Sequence, residues 1–151
     1  MADTRTVELA EGERNEFLGT GGTGVLSFAA GIDQPPYSLP VSYGYDESDG
    51  AFYFRLGFVA DSQKADVVDD RRQVSFVAYD ETDNRWQSVV ATGTLEEVTE
   101  SAIGSDAMQG LRRVEIPMVD LFERETEDVT FRFFRLDPES VSGRKEALSD
   151  R

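Results

Sequence analysis

The sequence has no cysteine and no histidine, and only two of its fifteen cations are lysines. Without cysteine there are no disulfides and no thiol nucleophile. Without histidine, Ser-His-Asp chemistry and the common zinc sites are excluded as well. No stretch approaches the roughly 20 apolar residues of a membrane span. The opening "MADTRTVELAEGERNEF" has no apolar core of a secretory leader, so the expected location is cytoplasmic.

What the chain has in excess is acid. Thirty Asp and Glu stand against fifteen Lys and Arg, a net charge of −15 over 151 residues. The acids are spread through nearly every block of ten rather than gathered in a tail. Such a field repels nucleic acid and anionic membranes. Many carboxylates with few lysines is the pattern of proteins adapted to high intracellular salt, as in haloarchaea; an ordinary acidic protein is the plainer alternative. A hydrophobic fraction of 39%, with 11% aromatic, is enough for a core, and the length fits a single domain over 1–151.

The pattern along the chain is strand-rich. "EGERNEFLGT" (11–20) reads as a short helix, and "TGVLSFAAG" (23–31) as a strand with glycine at both edges. "DQPPY" (33–37) is a turn, because paired prolines cannot extend a sheet interior. "SLPVSYGYD" (38–46) alternates: Leu39, Val41, Tyr43 and Tyr45 share one face, and Ser38, Pro40, Ser42 and Gly44 the other. "ESDG" (47–50) turns the chain into the returning strand "AFYFR" (51–55). A helix follows, then strands at 72–80 and 85–98, the latter predicted to bend at Gly93. Residues 101–124 read as helical, and 129–143 as the last strand. Six strands with hairpin turns and few helices predict a mainly β fold, an antiparallel barrel with short flanking helices. "GTGGTG" (19–24) is not a nucleotide loop: it precedes the first strand and lacks the Lys-Ser/Thr ending, and a turn into that strand accounts for it.

One lysine stands out. In "DSQKADVVDD" (61–70), Asp61 or Ser62 is a good N-cap, which places Lys64 in the first helical turn. That end of a helix favours anions, by roughly 0.3–1 kcal/mol. A lysine there is unfavourable unless an anion joins it. Free backbone N–H groups with a lysine make a phosphate site, and Arg55, at the end of the preceding strand, offers a second cation. The alternative is a surface ion pair of Lys64 with Asp61 or Asp66, worth about 0–1 kcal/mol. The small residues Pro40, Ser42 and Gly44 leave room for a flat ligand or for close packing of another element.

The segments "PYSLPVSYGYDESDGAFYFR", "SQKADVVDDRRQVSFVAYD" and "WQSVVATGTLEEV", in this order and spacing, resemble the pyridoxamine 5'-phosphate oxidase-like, FMN-binding split-barrel family. The branch it resembles is that of small flavin-nucleotide-binding and nitroimidazole-reductase-like members. The resemblance runs from about residue 10 to 143. It implies a six-stranded Greek-key split β-barrel, a homodimer, and FMN at the subunit interface. It places Val41, Ser42 and Tyr43 along the flavin ring, and Tyr53, Phe54 and Arg55 on the strand whose cation approaches the phosphate. It places Ser62 and Lys64 in the phosphate-gripping turn, where Ser62 replaces the glycine common in the family, and Gln87 and Ser88 near the ring edge.

A flavin carries its own redox chemistry, which fits a chain with no histidine or cysteine. Tyr43 and Tyr53 are the only proton donors to watch, with packing the expected role of both. Three functions stay open: an FMN-dependent oxidoreductase acting on a small organic acceptor, a flavin carrier without turnover, and a reductase using the deazaflavin coenzyme F420. For the homodimer, Trp86 and the strand "FRFF" (131–134) offer aromatic interface area.

Overall fold

The computed structural model describes residues 4–58, 72–82, 85–98 and 130–148. The elements, in chain order, are β1 (Thr4–Glu8), α1 (Glu11–Leu18), β2 (Gly21–Phe28), β3 (Tyr37–Asp46), β4 (Ala51–Phe58), β5 (Arg72–Thr82), β6 (Arg85–Val98) and β7 (Thr130–Leu148). All pairings are antiparallel, in the order β1-β7-β4-β3-β2-β5-β6. Because β7 also pairs with β6, strands β2 to β7 close into a six-stranded barrel. The spatial order β5-β2-β3-β4 is a Greek key. The expected barrel is therefore present, with β1 as an added seventh strand on β7. Among the described residues there is one helix, α1, where the sequence predicts a short helix over 11–20. The predicted helix carrying Ser62 and Lys64, and the helical reading of 101–124, lie outside the described residues. No helix among those described is long and apolar enough to cross a membrane.

Strict alternation builds the core. Leu26 and Phe28, Leu39, Val41 and Tyr43, Phe52 and Phe54, Val74 and Phe76, Val89 and Ala91, Phe134 and Leu136 all point inward and are buried. Phe76 sits at the centre of the aromatic packing, with ring centroids 4.9 Å from Phe54, 5.2 Å from Tyr43 and 5.4 Å from Phe52. Such offset and edge-on pairs add to the burial of apolar area. β7 is long enough, at 19 residues, to serve three partners: residues 130–136 pair with β4, residues within 133–145 with β6, and 144–148 with β1. The change of register lies at Thr92/Gly93, where the sequence predicts a bend. A Cβ on Gly93 would come within 2.5 Å of the Asp137 carbonyl oxygen, so glycine is what lets β6 and β7 stay paired there.

α1 lies against the barrel through polar anchors. The Tyr43 hydroxyl donates to the Leu18 carbonyl at 3.0 Å, and the Tyr45 hydroxyl to Asn15 Oδ1 at 2.6 Å. The last carbonyls of a helix lack partners within it, and Tyr43 supplies one. At the other end Glu13 accepts the backbone N–H of Ala10 at 3.1 Å, and Lys145 of β7 pairs with the same carboxylate. These contacts hold the Glu13 carboxyl below its usual range, the Lys145 hydrogen bond first among the causes.

Candidate functional site

The outer face of β3, β4 and β7 carries the candidate site. Tyr43 pairs with Phe54 at the end of the β3–β4 ladder, and both rings point into the core. The next residues along, Ser42 and Arg55, therefore lie on the outer face. Arg55 is opposite Phe133, Gly57 opposite Phe131, and Tyr53 opposite both Arg135 and Gly44. The Arg55 guanidinium sits 4.7 Å from the Phe131 ring centroid. A cation held over an aromatic face gains about 0.5–1 kcal/mol at an exposed site, which fixes its direction. Thr23 of β2 pairs with Ser42 and adds a second hydroxyl to the same face.

The surroundings of Arg55 are small or aromatic. Gly57 and Gly44 have no side chains and Ser42 is short, all three buried, while Phe131 and Phe133 are partly exposed at 38% and 36%. Large apolar rings left at the surface beside a cation are a binding feature rather than a packing one. The exposed rings offer an apolar plane and the guanidinium a charge, the two features an aromatic ligand with an anionic arm would use.

Not every expected site residue reaches this patch. The side chains of Val41, Tyr43 and Phe54 are core, so only their backbone can meet a ligand. Tyr43 is committed to Leu18, and burial pushes its hydroxyl up to about 12. Tyr53 does face outward but is fully buried. Its hydroxyl and the Arg135 Nε are buried without a hydrogen-bond partner. Burial also raises the Tyr53 pKa, against the smaller opposing pull of Arg135, whose guanidinium lies 5.8 Å from the ring centroid. Ser62 and Lys64 lie outside the described residues.

Gln87 and Ser88 separate because they are neighbours on a strand and face opposite ways. Ser88 is outward, paired with Tyr79 and Arg144. It stands on β6, which does not pair with the β4 of Arg55. Gln87 instead lines a cavity of about 360 Å³ at the barrel mouth, with Glu13, Glu16, Phe17, Asp80 and Lys145. Of the ten expected residues, Ser42 and Arg55 share this outer face, on the neighbouring strands β3 and β4. Phe131, Phe133 and Gly57 join them and were not anticipated. The signal was present in "TFRFFRL" (130–136), whose alternation puts Phe131, Phe133 and Arg135 on one face. What was not legible is that β7 lies beside β4.

A family model for pyridoxamine 5'-phosphate oxidase matches residues 10–145. No curated protein matches the chain. Among solved structures, an FAD-binding protein from Mesorhizobium loti is similar, with 25% identity, a TM-score of 0.66, and coverage of 97% of this chain and 99% of that one. An FAD-binding protein from Mycobacterium smegmatis has 16% identity and a TM-score of 0.66, over 92% of this chain and 98% of its own. An FAD- and haem-binding protein from the same organism has 12% identity and a TM-score of 0.56, over 97% of this chain and 74% of its own. With a closed antiparallel barrel and a family match covering most of its length, the chain belongs to the pyridoxamine 5'-phosphate oxidase family.

Proposed function

We propose that this protein binds FMN on the outer face of β3, β4 and β7 and acts as a flavin-dependent oxidoreductase on a small organic acceptor. The observation that carries this reading is Arg55, held over Phe131 beside Ser42 and Gly57, in a chain otherwise dominated by carboxylates. Two structural relatives named as FAD-binding at similar full-length coverage support a flavin as the ligand.

When bound, the flavin supplies the hydride or electron chemistry. The residues of this chain bind and orient. Arg55 holds the phosphate as a charge-assisted partner, with Ser62 and Lys64 as its expected companions from the sequence. The Ser42 and Thr23 hydroxyls offer hydrogen bonds along the ligand, and Phe131 and Phe133 exclude water from one side. The Tyr43 hydroxyl is engaged with the Leu18 carbonyl and Tyr53 is fully buried, so neither is assigned a proton-transfer role. That supports the carrier function as the second reading. Steady-state reduction with NAD(P)H and an acceptor separates it from an enzyme.

The test is a fluorescence titration of FMN, FAD and riboflavin in molar KCl against the wild type, Arg55→Ala and Lys64→Ala. A hydrogen bond to a charged group is worth roughly 1.5–3 kcal/mol, so each variant should weaken FMN about 10- to 150-fold. Riboflavin has the ring without the phosphate and should change little. Equal loss for FMN and riboflavin, or none for either, rejects Arg55 as the phosphate ligand. Tighter FAD than FMN would replace the mononucleotide with the dinucleotide.

A further inference from the structure

The outer face that carries Arg55 continues along β7. Its outward residues there run Phe131, Phe133, Arg135 and Asp137. Phe133 stands opposite Arg55, and Arg135 opposite Tyr53, one outward position further on. Two residues along a strand span roughly 7 Å. Among the described residues, Arg135 is thus the next guanidinium on this face after Arg55.

The two arginines have different neighbours. Arg55 lies over an aromatic ring, whereas Arg135 lies among acids. Its Nη2 is 3.0 Å from Asp137 Oδ1 and 3.9 Å from Asp49 Oδ2, in the turn between β3 and β4. Glu96 of β6 stands at the register position on its other side. Asp46, at the end of β3, is buried and accepts the Ser48 N–H at 3.2 Å. Asp46, Asp49 and Asp137 all oppose the pull of Arg135 on the Tyr53 hydroxyl. The Arg135 side chain is 18% exposed, against 36% for Asp49 and 66% for Asp137, so solvent meets the carboxylates before the cation.

We propose that Asp49 and Asp137 set the length of nucleotide this face takes: with Arg135 held by them, one phosphate binds at Arg55 and a second phosphate beyond it is repelled. The inference rests on the flavin reading of the Arg55 face and adds the choice between mononucleotide and dinucleotide. The fold leaves that choice open, since two proteins that share it are named as FAD-binding. A guanidinium takes a phosphate through parallel N–H donors. The Arg135 Nη2 already faces Asp137, and its Nε is buried. A second phosphate would have to displace a carboxylate in contact and then sit among the others. Specificity of this kind comes from a penalty on the wrong ligand rather than a gain on the right one. Acid is common throughout this chain, so acid alone selects nothing. What is particular is that two carboxylates pair with the arginine nearest the phosphate site.

The experiment is a fluorescence titration of FMN, FAD and riboflavin in molar KCl. The proteins are the wild type, Arg55→Ala, Asp49→Asn, Asp137→Asn, the double Asp49→Asn/Asp137→Asn, and Asp80→Asn. Asparagine keeps the side-chain shape, and Asp49 and Asp137 are exposed, so the fold stays intact by far-ultraviolet dichroism. Asp80 is exposed on β5, which pairs with neither β4 nor β7, and controls for the loss of one charge. Molar salt screens distant charges and leaves contacts, so a change reports the pair and not the overall field. The wild type should bind FMN more tightly than FAD. The double variant should bind FAD about fivefold or more tighter than the wild type does, through a charge-assisted pair with the released Arg135. Each single variant should show part of that gain. FMN should stay within about twofold, as should all three ligands with Asp80→Asn, since surface charges away from a contact contribute little. FAD bound as tightly as FMN by the wild type, no FAD gain in the double variant, or an equal gain for FMN and FAD overturns the proposal. If Arg55→Ala selectively loses FMN while the aspartate variants gain nothing, the proposal falls and the flavin reading stands. If Arg55→Ala leaves FMN unchanged, both fall.

Discussion

Arg132 grips Glu97 in two parallel hydrogen bonds, Nε to Oε1 and Nη2 to Oε2, both 2.8 Å, across the β6–β7 ladder. The same guanidinium lies 4.8 Å from the Phe58 ring centroid and 5.2 Å from that of Phe134. Arg132 pairs with Leu56 and Glu97 with Phe134, inward positions near one end of the barrel. The aromatic ring faces and the bidentate pair together fix the Arg132 guanidinium at that end of the core. Both side chains are about a quarter to a third exposed, so the loss on breaking the pair is less than for a fully buried one. Arg132→Ala should lower unfolding free energy by about 1–3 kcal/mol in a denaturant titration, and Glu97→Gln by less.

The same pair sets a pH dependence. The Arg132 hydrogen bond holds the Glu97 carboxyl below the usual 4.5. A depressed folded-state pKa stabilises above the unfolded value and loses that stability as pH falls through the folded one. Melting temperatures from pH 7 down to 3, in molar KCl, should therefore fall more steeply for the wild type than for Glu97→Gln below about pH 4.5. Parallel curves would mean that the pair contributes nothing to acid sensitivity.

Gly24 should be intolerant of substitution. A Cβ there would lie 2.5 Å from the Val77 carbonyl oxygen and 2.7 Å from the Phe76 ring, both in the packed β2–β5 contact. Backbone cannot yield as a flexible side chain does, so Gly24→Ala should cost about 1–3 kcal/mol as overpacking. Gly22→Ala is the milder companion, since its Cβ would approach only the Tyr43 ring at 3.2 Å. Chemical denaturation of the two variants checks the order.

Tyr43→Phe should destabilise without touching ligand binding. It removes the donor to Leu18, leaving a buried carbonyl at the end of α1 unpaired, at a loss of about 1–3 kcal/mol. With the native hydroxyl pushed up to about 12, the phenol is neutral in both folded and unfolded chains below about pH 10. The stability difference between wild type and variant should therefore be flat from pH 6 to 9. Above about pH 10 the unfolded phenol ionises first, and the wild type should lose its advantage. A loss of FMN affinity in Tyr43→Phe would place Tyr43 at the ligand after all.

Salt should stabilise the protein. Thirty carboxylates on a small surface repel one another unless screened, and the Debye length falls from about 10 Å at 0.1 M to about 3 Å at 1 M. The melting temperature should rise between low and molar KCl. An unchanged value would rule out salt adaptation as the reason for the acidic composition.

The sequence by itself determined the strands, their inward and outward faces, and the barrel class. It did so because alternation has a period of two residues and is local: Val41, Tyr43, Phe52 and Phe54 read as core in a window of a few residues. It also determined the net charge of −15. It did not determine β1, whose "TRTVE" has no hydrophobic alternation and becomes a strand only because the last five residues of β7 offer it an edge. Nor did it place Arg55 beside Phe131 and Phe133, some 75 residues further along, or Arg135 opposite Tyr53. Those juxtapositions depend on which strands share a ladder and in what register, and that is decided by long-range closure of the barrel. Moving any one strand by a single residue would turn its outward face inward. Tertiary packing alone, by burying one face of all six strands together, selects the register that assembles the site.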